Sequence, residues 1–258
     1  MPATGAAPAI PAEDLPELLR LIEGADGVEL KLTVSESEQR SAIRALELDP
    51  LDAQIRQVYF FDTPELSLAK AGVVVRARRV QGKGDDSVVK LRPVVPHELP
   101  KKLWDAPGFG VEVDAMPGGY VCSASMKSAA QGDVRQTVSE AGPLSSLFSE
   151  DQRAFYAEHA APGIELDDLS LLGPILVLKL KFTPEDLRRR LVAELWLYPD
   201  NSRILELSTK CAPAEAFQVA TEVRVFLMDR GVDLSGEQET KTQKALEFFS
   251  QQLQQAPA

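Results

Sequence analysis

Histidine and cysteine are almost missing from this chain. His97 and His159 are its only histidines, and Cys122 and Cys211 its only cysteines. Two thiols cannot build a disulfide framework or a thiolate zinc site. Two histidines exclude a His-rich metal centre. Any bound metal must therefore use oxygen ligands, which selects Mg²⁺, Mn²⁺ or Ca²⁺. Long apolar runs are also lacking; none approaches the roughly 20 residues of a membrane helix. The start, MPATGAAPAIPAEDLP, has no basic n-region and no apolar core of an export signal. Free thiols without such a signal make the reducing cytoplasm the expected compartment. Positive charge is short as well: 28 Lys and Arg stand against 39 Asp and Glu, a net charge of −11. An acidic surface disfavours duplex nucleic acid and anionic membranes as partners.

What is present is ordinary globular material. The 258 residues are 44% hydrophobic and 26% charged, which suits one large domain or two small ones. Residues 1–11, rich in Ala and Pro, read as a disordered tail. Residues 12–254 read as a single domain, and nothing in them fixes the oligomeric state. A short amphipathic helix is expected over Ala12–Glu23. Strand-like segments follow at Val28–Val34, Ile55–Asp62, Gly72–Val80, Ser87–Val94 and Gly110–Ala115. Residues 117–170 are polar and rich in small side chains, and read as a helical insertion. Strands resume at Ile175–Phe182, Arg190–Tyr198 and Ser202–Lys210. Two long helices are expected over Pro213–Arg230 and Glu237–Gln254. Eight short-linked strands favour an α+β architecture built on an antiparallel barrel.

The strands carry charges at i and i+2, which places them on one face. Glu29 shares a face with Lys31, Arg76 with Arg78, and Lys90 with Arg92. Glu112 goes with Asp114, Lys179 with Lys181, and Glu206 with Lys210. Glu194 stands on its own strand. The opposite faces are apolar. One wet face is common in antiparallel sheets, and solvation alone would explain any single pair. Several helices with apolar stripes, however, need a sheet face to pack on. If they cover the apolar face, the charged face lines a barrel lumen. Eight basic and five acidic side chains would then point inward, an excess of three positive charges in a chain of net charge −11. Such a lumen calls for an anion, and its acids for a hard divalent cation.

These residues resemble the CYTH family, the triphosphate tunnel metalloenzymes. VELKL is similar to the family's first-strand ExExK motif. VYFFDTPELSLAKAGVVVRAR resembles its Asp-Thr segment leading into a paired-Arg strand. VVKLRP, VEVD, LVLKLKF and ILELSTK fall where the family has its Lys, acidic, Lys and acidic strands. The resemblance covers Gly27 to about Lys241 and implies an eight-stranded antiparallel tunnel. It implies a small phosphorylated ligand: tripolyphosphate, a nucleoside triphosphate or thiamine triphosphate. Hydrolysis of a triphosphate with Mg²⁺ or Mn²⁺ is the expected activity. Cyclisation of ATP to cyclic AMP is the alternative.

By the same resemblance, Glu29, Lys31 and Lys90 are candidate catalytic residues. Arg76, Arg78, Lys90, Arg92, Lys179, Lys181 and Lys210 are candidate phosphate ligands. Glu29, Glu112, Asp114 and Glu206 are candidate metal ligands. Lys241 falls near a late basic residue of the family, but a solvated helix charge is the preferred reading of it. Two positions depart from the pattern. Gly27 stands where the first Glu of ExExK belongs, and Ser208 where the last strand often has a second acid. Both remove metal ligands, which keeps a non-catalytic polyphosphate- or nucleotide-binding module as a further alternative.

Overall fold

A computed structural model describes residues 15–233, 238 and 240–255. The tail expected over 1–11 lies outside the described residues. Nine strands form one closed barrel. They are β1 (Gly27–Val34), β2 (Gln54–Asp62), β3 (Val73–Val80), β4 (Asp86–Leu91), β5 (Phe109–Met116), β6 (Gly119–Ala129), β7 (Ser170–Phe182), β8 (Leu191–Leu197) and β9 (Arg203–Cys211). Around the barrel they run β1-β5-β6-β4-β3-β2-β7-β8-β9 and back to β1. The helices are α1 (Leu15–Glu23), α2 (Gln39–Ala45), α3 (Ser67–Lys70), α4 (Lys101–Trp104), α5 (Val134–Ser139), α6 (Glu150–His159), α7 (Ala216–Asp229) and α8 (Lys241–Gln255).

The expected eight antiparallel strands need correction on two counts. The ninth strand, β6, occupies the first part of the segment read as a helical insertion, and helix begins only at α5. β6 hides from a β-propensity reading because it is GYVCSASMKSA, mostly small residues. Those small side chains have a physical reason. Ser125 sits opposite Lys90, and Ser123 opposite Glu112, so β6 leaves room for long charged neighbours. The second correction follows from the first. Nine strands that alternate in direction cannot close without one parallel seam, and β1–β5 is that seam.

The helices pack on the outer, apolar face. Val75, Ala77, Val89 and Met126 meet Val134, Phe148 and Phe155 from the α5–α6 region. Leu32, Leu205 and Leu207 meet Ala42 of α2 and Phe226 and Leu227 of α7. Val28, Val111 and Val113 meet Leu18, Leu21 and Ile22 of α1. Each fully buried Val, Leu, Ile, Phe or Met side chain among these contributes roughly 1.5–3 kcal/mol. Gln152 pins α6 to the barrel: it accepts from Ser87 Oγ at 2.8 Å and donates to the Met126 carbonyl at 3.0 Å. With the outside covered, the charged face turns inward.

α8 behaves differently. Its Ala245, Leu246 and Phe249 are buried among Val58, Ile175, Val177, Trp196 and Ile204. In register these residues share the face of Arg56, Lys179, Glu194 and Glu206. α8 thus packs on lumen-facing side chains rather than on the outer wall.

Candidate functional site

The lumen is a cavity of about 1000 Å³. Among the described residues, twelve Lys or Arg side chains line it against four glutamates. It is the positive part of a chain whose net charge is −11. The strand register explains the concentration, since every second residue of each strand faces inward.

Asp114 is the most buried acid of the site. Its carboxylate lies 2.9 Å from Lys31 Nζ, 2.9 Å from Arg92 Nη1 and 3.7 Å from Lys90 Nζ. Burial alone would raise its pKa, but Lys31, Lys90 and Arg92 outweigh burial and hold it well below the carboxylate range. Burial likewise opposes the Lys31 charge, and Asp114, Glu29 and Glu206 more than compensate, so its pKa is raised. For Lys90 the balance reverses. Burial outweighs Asp114, and Lys31, Arg92 and Arg76 add repulsion, which lowers its pKa to about 8.

Arg76 carries the strongest signal for a ligand. Its side chain makes no hydrogen bond or ion pair among the described residues, and its buried Nε has no partner. Burial, then repulsion from Arg78, pulls its pKa down to about 9, so the guanidinium stays charged at neutral pH. Asp86 and Glu194 act on it only at a distance, and a desolvated cation that no anion bonds is costly. Arg78, expected to act as its twin, already forms a two-pronged pair with Asp86, at 2.7 and 2.8 Å.

The other expected residues divide. Lys179 pairs with Glu194 at 2.6 Å. Lys210 lies at the half-exposed rim, bonded to Glu112 and 3.9 Å from Glu29. Glu29 lies 3.5 Å from Lys31. Lys181 is not among the residues that line the cavity. It shares the face of Lys179, beyond the end of the lined region.

Of the five lining cations that a sequence reading misses, Lys70, Lys127, Lys244, Arg56 and Lys241, two bear on the site. Arg56 of β2 lines the cavity, but Val58 and Phe60 are apolar on the same face, so no i,i+2 charge pair marks it. Lys241 is the other, and a solvated helix charge is the wrong description of it. Its ammonium is bonded to both Glu194 and Glu206, the latter at 2.7 Å. Only the packing of α8 brings it there.

Asp62, part of the sequence resemblance, is not in the lumen. It is buried and accepts backbone N–H bonds from Thr63, Leu68 and Ala69 at 2.7, 2.8 and 2.9 Å. It fixes α3 and hence the turn that delivers β3 with Arg76.

The expected metal ligands do not converge. Among the described residues no three His, Cys, Asp or Glu side chains gather into a metal-holding group. Glu29, Glu112, Asp114 and Glu206 each face a lysine instead. Gly27 adds no carboxylate beside Glu112, its partner in register, and Ser208 adds none beside Lys31. As arranged, this donor set does not fit a divalent ion held by the protein alone.

No protein-family model matches the sequence, and no curated protein matches it. Solved structures do match. A candidate adenylate cyclase from Bacillus halodurans superposes with a TM-score of 0.56 at 15% identity, over 85% of this chain and 97% of that one. A candidate adenylyl cyclase from Hippeastrum, described as having a dominant triphosphatase activity, superposes with a TM-score of 0.60 at 16% identity. That match covers 85% of this chain and 95% of the other. The chain therefore has the CYTH-type tunnel fold. No helix among the described residues is long and apolar enough to cross a membrane.

Proposed function

We propose that the lumen binds a short phosphate chain of the triphosphate type, free or carried by a nucleoside or thiamine. The observation that carries this reading is Arg76, a half-buried guanidinium whose buried Nε has no partner among the described residues, in a cavity of about 1000 Å³. Lys90 and Arg56 line the same cavity. A guanidinium meets phosphate oxygens through two parallel N–H bonds, and lysines add point charges. Calorimetric titration with tripolyphosphate tests the proposal. Saturable binding that weakens with salt supports it. No binding to folded protein between neutral pH and pH 6 refutes it.

A second reading is hydrolysis of that chain, favoured by the triphosphatase activity of the Hippeastrum neighbour. Phosphoryl transfer needs charge neutralisation and an aligned nucleophile more than covalent chemistry. Arg76 and Lys90 would neutralise the nonbridging oxygens, Lys31 would orient the chain, and Glu29 would orient the attacking water. Phosphate release from tripolyphosphate, assayed with Mg²⁺, Mn²⁺ and EDTA, decides between turnover and binding alone. The same assay with ATP separates phosphate release from cyclic AMP formation.

A further inference from the structure

We propose that Lys241 is the resident cation of the tunnel, occupying the place between Glu194 and Glu206 that a divalent metal would need. This deepens the anion-binding reading and rests on it only for the identity of the ligand.

Glu194 and Glu206 are direct partners across β8 and β9. Like charges opposite one another in a ladder repel, and burial sharpens that repulsion. A cation between them resolves it. The Lys241 ammonium bonds both carboxylates, and its Nζ lies 5.1 Å from the centre of the Trp196 ring. Trp196 Nε1 donates to Glu194 at 3.2 Å, which holds that carboxylate in place.

The lysine is anchored, not drifting. α8 is fixed by Ala245, Leu246 and Phe249 in the core, and Tyr198 donates to the Lys241 carbonyl at 2.9 Å. Lys179 bonds Glu194 from the other side at 2.6 Å. Two carboxylates and two ammoniums leave this group neutral. A divalent ion entering it would meet two cations and two oxygen donors already engaged, whereas Mg²⁺ takes six ligands. The same arrangement recurs at Asp114 with Lys31 and at Glu112 with Lys210. The tunnel thus balances its acids with lysines fixed in the chain, and its anion needs no protein-held metal.

The test is Mn²⁺ titration of the anion-free full-length protein, read by the electron paramagnetic resonance of free Mn²⁺. Three proteins are compared: wild type, Lys241→Met, and Lys241→Met combined with Glu206→Gln. Wild type is expected to show no saturable site. Lys241→Met is expected to gain affinity on the order of 10–100-fold, the range over which the surroundings of a site move metal binding. Glu206→Gln should abolish the gain. A saturable Mn²⁺ site in wild type overturns the proposal. So does a folded Lys241→Met protein that gains nothing. Should that variant fail to fold, wild-type tripolyphosphate binding in EDTA and in Mg²⁺ decides. Equal affinities support the resident cation, and binding lost in EDTA overturns it. If tripolyphosphate binds in neither buffer, the ligand assignment fails, and the wild-type Mn²⁺ titration still judges Lys241.

Discussion

The Lys31 ammonium stands 2.9 Å from the buried carboxylate of Asp114. Lys90 of β4, which is separated from the Asp114 strand by β6, and Arg92 just beyond β4 reach the same carboxylate. One acid therefore answers three bases. Replacing Asp114 by Asn would take the carboxylate partner from Lys90 and Arg92 and leave Lys31 with Glu29. Removing one partner of a buried ion pair costs roughly 3–5 kcal/mol. Urea denaturation of Asp114→Asn is expected to show a loss of that size. Added tripolyphosphate should restore part of it, because an anion in the lumen replaces the missing charge. An Asn variant as stable as wild type without anion would contradict this role.

Arg76 invites the opposite result. It has no partner to lose among the described residues, so Arg76→Gln should leave the fold at least as stable. Hydrogen bonds to charged groups contribute about 1.5–3 kcal/mol. Tripolyphosphate affinity is therefore expected to fall roughly 10- to 100-fold. Arg78→Gln breaks the pair with Asp86 and should cost stability as well as affinity. Calorimetry and thermal unfolding of the two variants separate these roles.

Lys90 gives the site a pH dependence. Its folded pKa lies at about 8, below the ordinary 10.5. Below pH 8 the ammonium is charged and can attract the proposed anion. Above it the charge is lost and affinity falls. Stability moves the other way between about 8 and 10.5, because the unfolded chain keeps a proton that folded Lys90 has released. Tripolyphosphate affinity is expected to decline more steeply from pH 7 to 9 in wild type than in Lys90→Met. The ligand's own ionisation is common to both proteins. Parallel curves would show that Lys90 does not hold the anion.

Much of this site can be read from alternation alone. The i,i+2 rows place Glu29, Lys31, Arg76, Lys90, Glu112 and Lys179 in the cavity where the structure has them. Counter-charges are another matter. Sequence spacing cannot show that Asp86 reaches Arg78 across β3 and β4, because that contact depends on register. It cannot show that Lys241 enters the lumen, because a helix must first dock there. β6 is hidden for a related reason: its residues are chosen to make room, so they lack the bulky β-branched signature of a strand. Lys181 satisfies the alternation and still falls outside the cavity, since periodicity fixes a face and not a height along the barrel.

Gly27 offers a gain-of-function test at the other end of the lumen from Lys241. It pairs in register with Glu112 and lies on the same face of β1 as Glu29. A side chain here would be tolerated: a Cβ at Gly27 would meet its nearest neighbour, the Cys211 carbonyl oxygen, at an ordinary 3.5 Å. Gly27→Glu would add a third carboxylate beside Glu29 and Glu112. Lys210, which now answers both, is half exposed and free to swing toward solvent. Three carboxylates against one mobile lysine favour a hard divalent cation. Mn²⁺ binding absent from wild type is therefore expected in Gly27→Glu, and combining it with Lys210→Met should strengthen it further. Mn²⁺ titration and phosphate release from tripolyphosphate should be measured together on these proteins. Metal binding without new turnover would make the lumen a receptor that lacks more than a metal ligand. Turnover appearing with the metal would trace the difference between receptor and hydrolase to the residue at position 27. A folded Gly27→Glu protein with no Mn²⁺ affinity would show that Lys210 holds these carboxylates too firmly for any metal to compete.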